Sequence, residues 1–106
     1  MFILKGVNIF PLQIDTTLMN IPEVGTNYLV VLEREPENFQ DRMIVRVEVR
    51  PEFFKGDLRQ LESLRRQITE ALKSELLVTP KVELVEPDTL PKSEGKAVRV
   101  VDRREM

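Results

Sequence analysis

Apolar and charged residues alternate from Val45 to Arg50 within MIVRVEVR, residues 43–50. Successive side chains of a β-strand point to opposite faces of the sheet, so this pattern predicts a strand with one buried and one solvated face. The valines of the predicted buried face are Val45, Val47 and Val49, and the charged residues of the other face are Arg46, Glu48 and Arg50. The fold must therefore contain a sheet whose second face is open.

Four further segments have the composition of strands. Residues 27–35, NYLVVLERE, contain no glycine or proline and are rich in β-forming residues, and they lie close enough to 43–50 to form a hairpin. The polar residues 36–41 form the predicted loop of that hairpin. The other predicted strands are FILKG at 2–6, PKVELVEP at 80–87 and AVRVVD at 97–102.

Two segments have helical spacing. The first begins at Pro11, which suits the first position of a helix, and Pro22 ends it. Its apolar residues Ile14, Leu18 and Ile21 recur at helical intervals. The second and longer helix starts after Asp57, a predicted N-cap, with Gln60 three residues on. Its apolar stripe is Leu58, Leu61, Leu64 or Arg65, Ile68, Leu72 and Leu76.

The order strand, helix, strand, strand, helix, strand, followed by a final strand, predicts an α+β fold. It matches the ferredoxin-like split βαβ sandwich, in which two helices cover one face of an antiparallel sheet. We expect residues 1–106 to form a single domain, since no Pro/Gly/Ser linker or repeat divides them.

Composition excludes several classes of function. The chain has no cysteine and no histidine, which removes thiol nucleophiles, Ser-His triads and thiolate or histidine metal sites. No apolar run reaches the roughly 20 residues that a membrane span requires. The absence of cysteine fits a cytoplasmic location. The net charge of −2 disfavours nucleic acid, although residues 92–106 carry five basic and three acidic residues.

Two binding functions are tested against specific residues. An RNA-binding sheet needs exposed aromatic residues on its central strands, and Tyr28 is the one tyrosine of the chain. A metal site needs clustered ligands, and Glu33, Glu35, Glu37 and Asp41 lack any known ligand spacing. We therefore expect neither nucleic acid nor a metal ion to bind this domain.

Two short motifs have both a structural and a functional interpretation. In KGVNIFP, residues 5–11, Gly6 stands where a strand turns toward a helix, and Asn8 to Pro11 start that helix. Gly6 could form a turn or allow a ligand to approach the backbone closely. In SEGKAVRV, residues 93–100, the Gly-Lys pair is typical of a hairpin turn and does not form a Walker phosphate loop. Taken singly, neither motif identifies a function.

Considered together, the two ends of the chain resemble the C-terminal domain of the adenylate-forming enzymes, and specifically that of phenylacetate–CoA ligases. That domain opens with a strand followed by GVN-[IV]-FP and closes with LP-[KR]-S-E-GKA-x-RV. The matching segments here are FILKGVNIFPLQID and VELVEPDTLPKSEGKAVRVVDRR, and IPEVG at 21–25 and VRVE at 45–48 also stand where the family has them. The resemblance covers nearly the whole chain.

This resemblance implies a two-step reaction. An aryl acid such as phenylacetate and Mg²⁺-ATP give an acyl-adenylate and pyrophosphate, and CoA then displaces AMP to give the thioester. The small domain is a lid that rotates between the steps. In one pose the lid would place Lys96, in a turn shaped by Ser93, Glu94 and Gly95, at the adenylation site. In the other pose it would place the loop of Lys5, Gly6, Val7 and Asn8 beside the CoA channel.

The phosphate loop, the adenine pocket and the acid pocket of the family are absent from these 106 residues. We therefore expect the domain to depend on a large N-terminal adenylation domain and to be inactive alone. The sequence leaves two alternatives open, a free-standing ferredoxin-like regulatory or ligand-binding module and a dimerisation module that pairs through a sheet edge. It does not decide the oligomeric state, and a homodimer remains among the alternatives.

Overall fold

The computed structural model describes residues 2–4, 6–35, 37, 40–54, 58–86 and 100–103. The predicted turn from Ser93 to Lys96, the first half of the predicted last strand, the N-cap at Asp57 and the loop residue Lys5 lie outside these residues. Among the described residues, no helix is both long and apolar enough to cross a membrane.

Six strands and three helices occur in the described part of the chain. In order they are β1 Phe2–Leu4, β2 Val7–Ile9, α1 Pro11–Met19, β3 Val24–Arg34, β4 Asp41–Val49, α2 Pro51–Phe54, α3 Leu58–Leu76, β5 Lys81–Val85 and β6 Val100–Asp102. The predicted α+β class and its two long helices are confirmed. The single-turn helix α2 was not predicted.

The main sheet has the strand order β5-β4-β3-β6. Its central pair, β3 and β4, is the predicted antiparallel hairpin, with Val30 opposite Val45. The edge strands are parallel to their neighbours, β5 to β4 and β6 to β3, so the sheet is mixed rather than antiparallel throughout. The reason is visible in α3: a 19-residue helix between β4 and β5 lets the chain return to the same end of the sheet before pairing.

The first strand does not join the main sheet. β1 instead pairs antiparallel with β2, and the register sets Ile3 opposite Asn8 and Leu4 opposite Val7. The expectation that Asn8 begins the first helix is therefore wrong, because it lies in β2. The helix begins three residues later, at Pro11, and the Phe10 backbone N–H donates to the Gln13 side-chain oxygen at 2.9 Å.

One hydrophobic core joins the six strands to α1 and α3. The helices bury Ile14 and Leu18 from α1 and a four-residue stripe from α3 that follows the predicted spacing. The inward side chains of β3 and β4 face them, and the small hairpin contributes Leu4 and Ile9. The buried residues of α3 are Leu64, Ile68, Leu72 and Leu76, and those of the predicted β4 stripe are Val45, Val47 and Val49.

The second face of the sheet is only partly the open, solvated surface that the alternation predicts: the Arg46 side chain is 38% exposed and Arg50 is exposed, but other positions are buried. Ile44 and Val31 are register partners and are buried there, outside the core cluster. The Glu48 side chain is only 6% exposed, and its carboxylate accepts a hydrogen bond from the Asn27 amide at 3.0 Å. Ile44 breaks the charged series of this face, which explains why the valine pattern alone overstated its exposure.

Candidate functional site

The turn of the β1–β2 hairpin is the described part of the predicted CoA-channel loop. Leu4 and Val7 are the last register pair before the turn, and Gly6 lies within it with φ of +80°. This left-handed conformation is disfavoured for residues with a Cβ, so the tight turn favours glycine. No atom lies within 4 Å of where a Cβ on Gly6 would stand, so the turn faces open space.

The two faces of this hairpin have different environments. Leu4, Val7 and Ile9 pack into or against the core, which fixes the hairpin to the body of the domain. Ile3 and Asn8 lie on the opposite face and are exposed. Of the predicted loop residues, Gly6 and Asn8 are thus accessible to another molecule, whereas Val7 holds the loop in place.

The segment that follows the predicted Gly-Lys motif is anchored to the sheet. β6 pairs with residues Val30 to Leu32 of β3, and the Arg103 N–H donates to the Leu32 carbonyl at 2.7 Å. Lys96, Gly95, Glu94 and Ser93 themselves lie outside the described residues, so their roles remain predictions. β3 is central in the sheet, and its neighbour β6 therefore ties the C-terminal end of the motif to the most buried part of the fold.

The acidic residues tested as metal ligands lie among arginines. Asp41 contacts Arg34 at 3.0 Å, and Arg42 contacts Glu33 at 2.8 Å and Glu35 at 3.7 Å. These pairs cross the loop end of the β3–β4 hairpin, where they support its register. The described residues contain no group of three or more side chains suited to a metal ion.

Tyr28 is buried in the core, so its ring is not available to stack on a base. Its hydroxyl donates to Asp15 Oδ1 on α1 at 3.2 Å. Burial, and then the nearby Asp15 charge, raise the pKa of Tyr28 above its ordinary value of 10.0. The pair links α1 to β3 and explains why this tyrosine occupies an otherwise apolar core.

Sequence reasoning missed a groove between the first turns of α3 and strand β5. Its volume is about 730 Å³, and three of its described lining residues are arginines, Arg59, Arg65 and Arg66. The sequence signal for this groove is the clustering of three arginines within eight residues of one helix.

Comparison with known proteins identifies the family of this chain. Residues 6–104 match the family model described as the AMP-binding enzyme C-terminal domain. The chain belongs to this family. The resemblance predicted from the two end motifs is therefore confirmed.

Individual relatives place the domain among CoA ligases. A phenylacetate–coenzyme A ligase of Thermus thermophilus is 37% identical over 98% of this chain, which corresponds to 26% of that protein. The crystal structure of a domain of phenylacetate–coenzyme A ligase from Bacteroides vulgatus is 49% identical with a TM-score of 0.89, and it covers all of this chain and 94% of that one.

A third relative, 2-hydroxyisobutyryl-CoA ligase, has been solved in two states. In complex with 2-HIB-AMP and CoA in the thioesterification state it is 33% identical with a TM-score of 0.89, and in a postadenylation state with 2-HIB-AMP it is 32% identical with a TM-score of 0.84. Each comparison covers 99% of this chain and 21% or 22% of the ligase. The chain thus corresponds to the C-terminal domain of an adenylate-forming CoA ligase of the phenylacetate–CoA ligase type, and it spans about a quarter of the curated relative's length.

Proposed function

We propose that this domain is the mobile lid of an ATP-dependent aryl-acid CoA ligase, which converts phenylacetate, ATP and CoA to phenylacetyl-CoA, AMP and pyrophosphate. The observation that carries the proposal is the match of the whole domain to one relative in two catalytic states, with TM-scores of 0.89 and 0.84. A single packed core is the property that a domain needs to move as one body between two poses.

In the first pose Lys96 would serve adenylation. Attack of a carboxylate on the α-phosphate of ATP brings two anions together, and a cation aimed at the oxygens of both offsets their repulsion. Lysine is a compact charge on a long, flexible stem, which suits delivery from a hinged domain. Its role would be electrostatic rather than nucleophilic, with Ser93, Glu94 and Gly95 forming the turn that presents it.

In the second pose the β1–β2 turn would lie beside the pantetheine arm of CoA. The turn fits this role because Gly6 has open space where a side chain would stand, so a ligand can approach its backbone closely. Asn8 offers an exposed amide next to the turn, and Lys5 would add a charge there. CoA supplies the thiol, and this loop would align and shield the thiol as it approaches the acyl-adenylate.

The remaining parts of the reaction would belong to a large N-terminal adenylation domain. That domain would bind the aryl acid and Mg²⁺-ATP, so the present domain would be inactive alone and would bind no metal itself. The relatives reported above are ligases, which favours this proposal over a free-standing regulatory or ligand-binding module. A homodimer remains a proposal that no observation favours.

The turn can be tested in the full-length ligase with Gly6→Asn and Gly6→Ala. Asparagine tolerates a positive φ far better than alanine does, so Gly6→Asn adds a side chain while keeping the turn. We expect both variants to form thioester from pre-made acyl-adenylate roughly 10-fold to 100-fold more slowly, because misplaced reactants lose about this much rate. Adenylation, followed by pyrophosphate exchange, should change little.

The control is Lys73→Ala, an exposed position on α3 away from the turn, which should leave both steps intact. Equal slowing of both half-reactions by Gly6→Asn, or no slowing of thioester formation, would contradict the placement of this turn in the CoA channel.

A further inference from the structure

The outer side of the β1–β2 hairpin and of α1 is apolar. Four of the seven large apolar side chains that are exposed in the described part of the chain lie here: Ile3 at 52%, Phe10 at 50%, Leu12 at 70% and Met19 at 44%. Single exposed apolar residues are common on protein surfaces, but several grouped on neighbouring elements are typical of an interaction site.

Backbone geometry places these side chains on one side of the two elements. Ile3 is the register partner of Asn8, and both are exposed. Phe10 is still extended, with φ of −103° and ψ of 130°, so its side chain points to the same side as that of Asn8 two residues earlier. Leu12 and Met19 are seven residues apart, or two helical turns, and share one face of α1. Together these residues form the uncharged face, which consists of Ile3, Asn8, Phe10, Leu12 and Met19.

Charge is nearly absent from this stretch of a chain that is 32% charged overall. Between Gly6 and Pro22, Asp15 is the one charged residue, and it is engaged by the Tyr28 hydroxyl. Helix α3, by contrast, has seven charged residues among its 19. Depletion of charge together with aromatic and methionine side chains is the composition of the core of a protein interface. The uncharged face therefore has the composition of a surface that a partner covers.

The comparisons indicate which partner is available to this face. The chain matches a C-terminal domain, and it corresponds to 21% of the 2-hydroxyisobutyryl-CoA ligase solved with CoA. In a protein of that organisation the large domain comes first, so the hairpin and α1 are the elements nearest to it in sequence. A neighbour on the same chain has a high effective concentration, so a modest apolar face is enough to dock it.

We propose that the large N-terminal domain covers the uncharged face in one pose of the lid and leaves it exposed in the other. The covered pose is that of thioester formation, because the Gly6 turn and this face belong to the same hairpin and approach the large domain together. Apolar burial in one pose stabilises that pose alone, so the face sets how the lid is distributed between the two half-reactions. The inference rests on the proposed function and adds the surface that holds the lid in its second pose.

Leu12→Glu in the full-length ligase tests the proposal. Leu12 is the second residue of α1, and an acidic side chain is favourable at a helix N-terminus, so the variant should fold normally. We expect thioester formation from pre-made acyl-adenylate to slow roughly tenfold, the effect of about 1.4 kcal/mol lost from the covered pose. Adenylation, followed by pyrophosphate exchange, should not slow. Leu12→Met keeps the apolar contact and Ser74→Glu adds the same charge at an exposed position of α3, so both controls should retain the wild-type rates.

A second variant, Phe10→Ser, guards against a local defect in α1. Serine at this position would complete a capping box with Gln13, whose side chain already accepts the hydrogen bond of the residue 10 N–H. The start of the helix is thus kept while the aromatic side chain is lost. We expect the same separation of the two half-reactions as for Leu12→Glu.

Thiol labelling measures the cover directly, because this domain has no cysteine of its own. The thiol of Leu12→Cys should react at similar rates in the 106-residue chain and in the ligase with ATP alone, and much more slowly in the ligase with acyl-adenylate and CoA. The separate chain is a suitable reference, since a relative matching it over its full length was solved as a separate domain.

Unchanged thioester formation in both Leu12→Glu and Phe10→Ser, or a thiol that reacts equally in every state, would overturn the proposal. So would a dimer of the 106-residue chain that Leu12→Glu dissociates, because the face would then belong to a second copy. Failure of the proposed function has a different signature. Lys96→Ala and the Gly6 variants would then not separate the half-reactions, whereas protection of the thiol at position 12 would still support the contact with the large domain.

Discussion

Tyr28 is the largest side chain that the described core encloses fully. Its hydroxyl is buried together with its ring, and a buried hydroxyl without a partner costs free energy. Asp15 on α1 removes that cost by accepting its hydrogen bond at 3.2 Å. This pair, together with the buried Ile14 and Leu18 of α1, therefore fixes where α1 sits on the sheet, and with it the hairpin that immediately precedes α1.

Removing this hydroxyl should destabilise the domain. We expect Tyr28→Phe to lower the free energy of unfolding by roughly 1–3 kcal/mol near pH 7, because a hydrogen bond to a carboxylate is lost. The pKa of Tyr28 is raised in the folded state, so the unfolded chain loses the phenolic proton first. Wild-type stability should therefore be complete below pH 10 and fall as pH rises further, and Tyr28→Phe should lack this fall.

Urea unfolding at neutral and alkaline pH measures both effects. Because the chain has one tyrosine and no tryptophan, tyrosinate absorbance follows this group alone. Asp15→Asn is the control that keeps the ring buried while removing the charge, and it should retain part of the alkaline loss. If the free energy of unfolding of wild type and of Tyr28→Phe depended on pH in the same way, the Tyr28–Asp15 pair would not be the cause of the alkaline loss of stability.

At the scale of elements, the residue pattern of a single segment predicted which of its side chains are buried, but it did not predict how the strands pair. The valines of β4, and the α3 stripe from Leu64 onward, are spaced so regularly that their buried faces could be predicted from single segments. Leu58, predicted as the first residue of that stripe, is instead 83% exposed. The parallel edge strands could not be predicted, because the direction of β5 depends on the whole length of α3. Likewise, FILKG and GVNI pair with each other instead of entering the main sheet. This pairing could not be predicted locally, because it depends on the packing of Leu4 and Ile9 into the core.

The end of α3 has a conformational cost that a substitution can remove. Leu77 follows the helix with φ of +64°, and its side chain is 78% exposed. We expect Leu77→Gly to raise the free energy of unfolding by roughly 0.5–1 kcal/mol, since glycine adopts this left-handed conformation without strain and little packing is lost.

Thermal or urea unfolding of the 106-residue chain would measure this change. The matched control is Leu58→Gly at the other end of the same helix, where the leucine is 83% exposed and φ is not positive. That variant should leave stability unchanged or lower it. Equal stabilisation by both substitutions would mean that the left-handed backbone at Leu77 is not the cause.

At the scale of the whole molecule, the family could be predicted from two motifs about a hundred residues apart. The fold then brings the first motif into a hairpin fixed to the core and anchors the chain directly after the second motif on β3. The groove between α3 and β5 was not predicted, because residues 58–66 of the helix and Leu84 of the strand come together only in the folded chain. The Lys96 turn lies outside the described residues, so its role still rests on resemblance.

The central claim is that one rigid domain serves two half-reactions with two different segments. In the full-length ligase, Lys96→Ala should slow adenylation, measured by pyrophosphate exchange, by roughly 10²–10³-fold, or about 2.7–4 kcal/mol. Thioester formation from pre-made acyl-adenylate should remain nearly intact. Lys73→Ala, which removes an exposed lysine of α3 outside both motifs, is the control and should affect neither step. Equal loss in both half-reactions, or an adenylation rate unchanged by Lys96→Ala, would contradict the account.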